Sequence, residues 1–278
     1  RGLSYYFDKH KYQNTVGDDL WNSLQVFADF DVREFMHAWI SQPGYPALQT
    51  AHNGSQTWWE QQRFLLDGTT DDTKWPLPEV NDDMSGHYLI DLGESEFQAK
   101  LKEFDDLSEE QKLRLLIDRM LLAKAGNVTS ASLLDLLAKF TNERSSAVWS
   151  IVANIVGDLK LFCPPESEAE QNYQALLRQL IHELIMELGL KEKLGPNDTE
   201  LRNILLGIAC YDQDEEVLQK LADLYQTDLA TMDAELRGYI MAANMYFNES
   251  EVFEEWLSQY AKTCDAEIKV DILYSLAA

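Results

Sequence analysis

His182 and Glu183 open the stretch whose residue types come nearest to metal chemistry, His-Glu-Leu-Ile-Met. A zinc helix of the H-E-x-x-H kind needs two histidines one turn apart, so that both imidazoles face one metal. Met186 occupies the second position here, and one imidazole with one carboxylate does not make that site. The stretch therefore indicates the polar face of a long amphipathic helix, and we predict no metal ligand in the chain.

Nucleophilic chemistry has little support in the sequence. The cysteines lie far apart, at Cys163, Cys210 and Cys264, without a C-x-x-C pair. The other histidines lack a second ligand at a convincing spacing, and these are His10, His37, His52 and His87. No G-x-S-x-G elbow, phosphate loop or dinucleotide glycine fingerprint appears. We predict no catalytic residue and interpret the cysteines as buried thiols; an enzyme acting through one of them is a third hypothesis.

Arg202 and Arg237 are the candidate residues for contact with a substrate. They occupy equivalent places in an internal repeat, near the start of a predicted helix. A planar guanidinium suits bidentate binding of a carboxylate, which favours a place on a substrate-facing surface. An ion pair with one of the many neighbouring acidic residues is the alternative. Trp58 and Trp59 are interpreted as sheet core on one side and domain contact on the other, rather than as a ligand platform.

The two arginines belong to a stretch, 200–262, that matches itself after a shift of thirty-five residues. Glu-Leu-Arg occurs at 200–202 and again at 235–237, and apolar positions coincide between the copies, as in Leu221 with Trp256. A period of this length is typical of stacked helix pairs, which need neighbours to bury their apolar stripes. The repeat predicts a curved helical stack with a concave surface.

Periodicity and turn signals predict the elements that precede the stack. Residues 3–41 have the pattern of three short helices, and the second is predicted to bury an apolar stripe formed by Leu20, Trp21, Leu24 and Phe27. Asn-Gly, Asp-Gly and Asn-Asp-Asp turn signals then separate four predicted strands, at 45–50, 57–66, 75–80 and 86–92.

Two prolines limit where the third predicted strand can lie. Pro76 and Pro78 cannot both lie in a central strand, so that segment is an edge strand or a covering loop. From Ser95 onward the pattern is helical. The predicted helices are 95–104, 108–125, 129–141, 144–161, 166–190, 198–211, 214–226, 233–247, 249–263 and 266–277.

Composition excludes two classes of partner. The chain has 278 residues, an apolar fraction of 45% and a formal net charge of −25. The apolar fraction is that of a folded protein. The negative charge repels phosphate backbones, so we predict no nucleic-acid partner. No apolar run is long enough to cross a bilayer, so we predict no membrane partner.

The sequence also bears on the compartment. An odd number of dispersed cysteines favours a reduced compartment, and we predict a cytoplasmic protein. Four N-x-S/T sequons, at Asn53, Asn127, Asn197 and Asn248, leave an extracellular parent as the alternative. The chain begins at Arg1 within an aromatic stretch, which indicates a piece of a longer protein.

Residues 5–48 and several later motifs carry a resemblance to a known family. The matching residues are Tyr6-Phe7, Lys9-His10, Tyr12, Asn14-Thr15, Asp18-Asp19-Leu20-Trp21, Phe35-Met36, Trp39, Pro43-Gly44-Tyr45-Pro46, Gln62-Arg63-Phe64, Trp75-Pro76-Leu77-Pro78, Gly86-His87-Tyr88, Leu116-Ile117-Asp118-Arg119, Glu200-Leu201-Arg202 and Leu236-Arg237. The pattern resembles the zinc aminopeptidases of the aminopeptidase N (alanyl aminopeptidase) type. His87 departs from it, because the family has tyrosine in that G-Y-Y strand.

The resemblance implies a mainly α fold in three parts. Residues 1–41 would be the terminal helices of the catalytic domain, and 45–92 a small β-sandwich domain, shorter than in the family. Residues 95–278 would be a C-terminal α-helical repeat domain with the form of a superhelical bowl. The family's zinc motif and transition-state tyrosine precede this region, so no catalytic role is carried over to any residue here.

The implied function is that of a non-catalytic region of a zinc metallo-aminopeptidase, which removes N-terminal residues from peptides. The region would cover the active-site chamber and limit substrate access. Its partners would be the parent's own catalytic domain and the peptide substrate, and zinc would belong to the parent domain alone. The alternative is a stand-alone helical-repeat scaffold that binds proteins and has no enzymatic parent.

Overall fold

The computed structural model describes residues 1–53, 56–77, 80, 86–190 and 193–276. The chain divides into two compact units, Arg1–Thr129 and Ser130–Ala278. The described residues are mainly helical with one small sheet, so the predicted fold class is confirmed. None of the described helices is both long and apolar enough to cross a membrane. The boundaries 1–41, 45–92 and 95–278 stay a prediction.

The first unit begins with three short helices, and few of their side chains are fully buried. They are α1 (Gly2–His10), α2 (Gly17–Gln25) and α3 (Val32–Ser41). Asp31 caps α3 by accepting a hydrogen bond from the Glu34 N–H at 2.9 Å. The prediction of a buried stripe was wrong, because Leu20, Trp21 and Leu24 on α2 are only half-buried and Phe27, beyond the end of α2, is 51% exposed.

A three-stranded sheet follows, in the order β2-β1-β3. β1 (Tyr45–Asn53) pairs antiparallel with β2 (Gln56–Phe64), and β3 (Leu89–Ile90) runs parallel to β1 beside Ala47 and Leu48. The strands predicted at 45–50 and 57–66 are confirmed. The one predicted at 86–92 is only two residues long.

The strand predicted at 75–80 is absent from its described residues, 75–77 and 80. The Gln61 side chain accepts the Trp75 N–H at 3.0 Å and donates to the Trp75 carbonyl at 3.1 Å. This side chain replaces the backbone ladder that Pro76 would interrupt. The segment is therefore a covering loop, the second of the two predicted forms. Pro78, Gly54 and the Asn-Asp-Asp turn lie outside the described residues.

α4 (Glu94–Lys102) and α5 (Glu109–Lys124) complete the first unit. Three charged side chains of α5 are buried, with Arg114, Asp118 and Arg119 all at most 6% exposed. Asp118 accepts the Ile90 N–H at 2.9 Å, and Arg114 donates to the carbonyls of Tyr88 and Gly86. These side chains satisfy the backbone around β3, which is why so short a strand is tolerated. Burial raises the pKa of Asp118 to about 7.

The second unit is entirely helical over its described residues, apart from connecting loops. Its helices are α6 (Ala131–Leu137), α7 (Ser146–Lys160), α8 (Glu168–Leu188), α9 (Pro196–Asp212), α10 (Glu215–Ala222), α11 (Arg237–Lys262) and α12 (Ala266–Leu276). The helices predicted at 233–247 and 249–263 are joined in α11. The backbone breaks at Asn248, with φ −134° and ψ 32°, between the two predicted segments.

Apolar residues at equivalent repeat positions form the core of this unit. Leu221 and Trp256 coincide after the thirty-five-residue shift, and both are 0% exposed. Leu205 and Ile240 coincide likewise and are at most 2% exposed. α9 packs against α7, α8 and α11, and α11 packs against α10 and α12. The sequence repeat therefore corresponds to a repeated packing pattern, as nearest-neighbour stacking requires. The curvature of the stack stays a prediction.

Candidate functional site

The repeat junctions of the second unit hold both arginines singled out in the sequence. Arg202 is 3% exposed, and its guanidinium lies 3.6 Å from the Glu235 carboxylate. Arg237 is 5% exposed and donates through Nε to Asp271 on α12 at 2.6 Å. Arg202 therefore reaches the turn that precedes α11, and Arg237 reaches α12. The two arginines pair with different acidic residues.

Ion pairing, the alternative interpretation of the arginines, is present at both positions. A guanidinium this deeply buried needs a charged or hydrogen-bonding partner, and the neighbouring acids supply it. Binding of a substrate carboxylate by Arg202 or Arg237 stays a prediction. Because neither side chain is exposed, such binding would require the present ion pairs to break or widen.

Residues that favour helix starts and ends determine where α9 begins and ends and where α10 begins. Gly195 and Pro196 start α9, with proline at the first helical position, where its missing N–H costs nothing. Gln213 ends α9 in the left-handed conformation, with φ 56° and ψ 46°. Asp214 then caps α10 by accepting the N–H groups of Glu216 at 3.2 Å and Val217 at 3.3 Å.

His182 and Asp214 form a contact that the sequence analysis missed. His182 Nδ1 lies 2.6 Å from Asp214 Oδ2, and its Nε2 lies 3.6 Å from the Glu216 carboxylate. The hydrogen bond to Asp214 is the main cause that raises the pKa of His182. Asp214 is 2% exposed, so its charge is held by the histidine and by the N-terminus of α10. The pair joins α8 to the α9–α10 junction.

The contacts of His182 and Met186 also show whether this helix could bind a metal. Both imidazole nitrogens of His182 face carboxylates, and the sulfur of Met186 lies 2.8 Å from Lys220 Nζ. An ammonium group occupies the place where the second histidine of a zinc helix would bind its metal. Within the described ranges, no cluster of three or more His, Cys, Asp or Glu side chains could hold a metal. The residues present do not fit a zinc ion.

Asp212, beside this pair, is a second buried carboxyl group. It is 0% exposed, and its Oδ1 accepts the Asp214 N–H at 2.8 Å. Burial raises the pKa of Asp212 to about 7. Arg178 binds the Asp212 carbonyl at 2.7 Å and so fixes the end of α9. These contacts close the junction between α9 and α10.

Two of the cysteines, Cys163 and Cys210, do not present an activated thiol. Burial raises the pKa of Cys163, and it raises the pKa of Cys210 to about 12. A raised pKa disfavours the thiolate, which is the reactive form. Cys163 and Cys210 are half-buried and Cys264 is exposed, so the interpretation of all three as buried thiols was wrong. Cys264 lies at the surface because it belongs to the loop between α11 and α12.

Both tryptophans of β2 are exposed, Trp58 by 42% and Trp59 by 40%. Their interpretation as sheet core on one side was therefore wrong. β3 pairs only beside Ala47 and Leu48, so it does not reach the outer half of the β1–β2 hairpin.

The second unit is a helical repeat whose junctions contain ion pairs. The model of the ERAP1-like C-terminal domain family matches residues 79–278, and the chain belongs to this family. The resemblance to the aminopeptidase N type is thereby confirmed.

Curated relatives extend the similarity to nearly the whole chain. Aminopeptidase N from Lactococcus lactis subsp. cremoris is 29% identical over 98% of the chain and 37% of the relative. Aminopeptidase N from Lactobacillus helveticus is 26% identical over the same shares. Tricorn protease-interacting factor F2 from Thermoplasma volcanium is 27% identical over 90% of the chain and 36% of that protein. The chain thus spans little more than a third of the length of these relatives.

Proposed function

We propose that this chain is the non-catalytic C-terminal region of a zinc aminopeptidase that removes N-terminal residues from peptides. The observation that carries the proposal is the alignment of 98% of the chain with 37% of aminopeptidase N relatives. Zinc and the hydrolytic chemistry would belong to the catalytic domain of the parent. No step of that chemistry is assigned to a residue of this chain, because His182 and its neighbours do not fit the metal.

The helices α1 to α3 support a place against a catalytic domain. They present large apolar side chains that are more than half exposed, namely Leu3 at 57%, Phe7 at 63% and Ile40 at 64%, and Phe27, between α2 and α3, is 51% exposed. Large apolar side chains exposed on neighbouring helices favour an interface with another domain. The parent's catalytic domain is the partner proposed for this face.

The helical repeat would cover the active-site chamber and limit access to peptides with a free end. Repeat stacks bury their cores between neighbours and keep an extended surface available for a ligand. A stack joined by buried ion pairs would hold that surface in one register from repeat to repeat. A stand-alone scaffold would use the same surface for a folded partner, and it is the competing outcome of the test.

The purified 278-residue chain is expected to release no fluorophore from aminoacyl-coumarin substrates, with or without added zinc. The physical reason is that His182 is already paired with Asp214, that Lys220 contacts Met186, and that the pKa values of the Cys163 and Cys210 thiols are raised. Continuous fluorimetry checks this, with intact Lactococcus lactis aminopeptidase N as the active control. Zinc-dependent release that survives re-purification and is abolished by a chelator would refute the proposal.

A further inference from the structure

Asp212, the last residue of α9, is a buried carboxyl group without the partners that a buried ion needs. It is 0% exposed, and its Oδ1 accepts the Asp214 N–H at 2.8 Å. Its Oδ2 is buried as well and has no hydrogen-bond partner among the described residues. Arg178 lies nearby, but its guanidinium donates to the carbonyls of Asp212 and Gln213. Burial without a partner penalises the ionised form of a carboxyl group, so this geometry favours a bound proton.

A second proton-binding group, His182, lies at the same junction. Its Nδ1 lies 2.6 Å from Asp214 Oδ2, and protonation of the imidazole makes this contact an ion pair. Asp214 therefore contacts both groups, Asp212 through its backbone N–H and His182 through its side chain. The same side chain caps α10 by accepting the N–H groups of Glu216 and Val217. The protons on Asp212 and His182 are thus coupled to the start of α10.

The charges around these two groups do not cancel the preference for protons. Burial, together with the charge of Asp214, raises the pKa of Asp212 to about 7 against the lowering effects of the Asp214 N–H, Arg178 and His182. The hydrogen bond to Asp214 raises the pKa of His182, although burial lowers it. The titratable and charged side chains of the junction are Arg178, His182 and Glu183 on α8, Cys210 and Asp212 on α9, and Asp214, Glu216 and Lys220 at and after the start of α10.

Both groups change the stability of the junction in the same direction. The folded pKa of Asp212 lies above its unfolded value of about 3.9, and that of His182 lies above about 6.5. Each contribution is fully present below the unfolded pKa and is lost as the pH rises through the folded pKa. Asp212 therefore acts from about pH 4 to about pH 7, and His182 acts above about pH 6.5.

We propose that the junction of α8, α9 and α10 is a pH-sensitive switch, closed by protons on Asp212 and His182 in mild acid and loosened when both protons leave. After their release, the junction holds the carboxylates of Asp212 and Asp214 side by side without the imidazolium that offsets them. Since α10 packs against α11, the loosened junction also weakens the support of the next repeat. The inference does not depend on the proposed function, because all of these residues belong to the second unit.

Hydrogen exchange of the α10 amides measures the opening of this junction in the 278-residue chain, by mass spectrometry and with correction for the intrinsic effect of pH. Between about pH 5 and about pH 6, opening releases a proton from Asp212 alone, so the opening constant should rise about tenfold per pH unit. Asp212→Asn keeps an oxygen for the Asp214 N–H but does not titrate, so its opening should stay constant over that range. His182→Gln should keep this rise and lose the further rise above about pH 7.

Asp223→Asn is the matched control, because Asp223 is an exposed carboxyl group at the end of α10. It should retain the rise of about tenfold per pH unit. Opening of the unaltered chain that does not change between about pH 5 and about pH 6 would overturn the proposal without any variant having to fold. A rise that survives in Asp212→Asn, or one that Asp223→Asn also abolishes, would overturn it as well.

Discussion

Replacing Trp256 by alanine is expected to lower the free energy of unfolding of the second unit by about 3–5 kcal/mol, the cost of deleting a buried large aromatic side chain. Trp256 is 0% exposed, and its indole N–H donates to the Tyr225 hydroxyl at 3.0 Å. Tyr225 ends the first copy of the repeat and Trp256 lies in the second, so the contact joins adjacent repeats. The loss should therefore propagate to α12 through α11.

Calorimetry or urea denaturation followed by circular dichroism measures this effect. The matched control is Trp58→Ala, which removes the same side chain from a position that is 42% exposed. That change should cost about 1 kcal/mol or less, as is usual for surface substitutions. Tyr225→Phe leaves the indole N–H without its partner and should cost about 1–3 kcal/mol. A Trp256→Ala protein as stable as Trp58→Ala would contradict the packing of the repeats.

Replacing Asp214 by alanine is expected to destabilise the second unit by about 3 kcal/mol, the sum of a lost helix cap and a broken buried pair. The substitution exposes the N–H groups of Glu216 and Val217 and leaves His182 without its acceptor. Asp214→Asn keeps an oxygen for the cap and removes the charge, so it should cost less. Asp18→Ala is the exposed control, because the Asp18–Arg33 pair is more than half exposed.

The effect of Asp214→Ala should depend on pH through His182. The pKa of His182 is raised in the folded state, so the pair stabilises the fold fully below the unfolded pKa of about 6.5. That contribution is lost as pH rises through the folded pKa. The difference between the original chain and Asp214→Ala should therefore be larger at about pH 6 than at about pH 9, where the cap alone remains. A difference that grows with pH would contradict the assigned pair.

The elements that the sequence predicts well are those whose signals are local. Ser108 and Gln111, three positions apart in the sequence, form a capping box with both hydrogen bonds, and α5 begins at Glu109. The thirty-five-residue repeat located the equivalent buried positions, because the 3.6-residue helical period and the repeat period can both be read from a single sequence.

The features that the sequence could not predict depend on contacts between distant residues. His182 and Asp214 are thirty-two residues apart and meet only because α8 packs against α9. Equivalence in the repeat predicted that Arg202 and Arg237 share a role, and ion pairing was one of the two predicted roles, but the sequence did not identify Glu235 and Asp271 as the partners. Side chains of α5 satisfy the backbone of β3 and so allow it to be short, and no local sequence pattern predicts these contacts.

We propose that this chain acts as part of an aminopeptidase whose catalytic residues belong to another domain. A chimera in which the chain replaces the aligned 37% of Lactococcus lactis aminopeptidase N tests this proposal. The measurement is kcat/KM for an aminoacyl-coumarin substrate, compared with the same enzyme lacking that region. We expect the chimera to recover most of the native activity and the truncated enzyme to have little. A soluble, folded chimera no more active than the truncated enzyme would contradict the account.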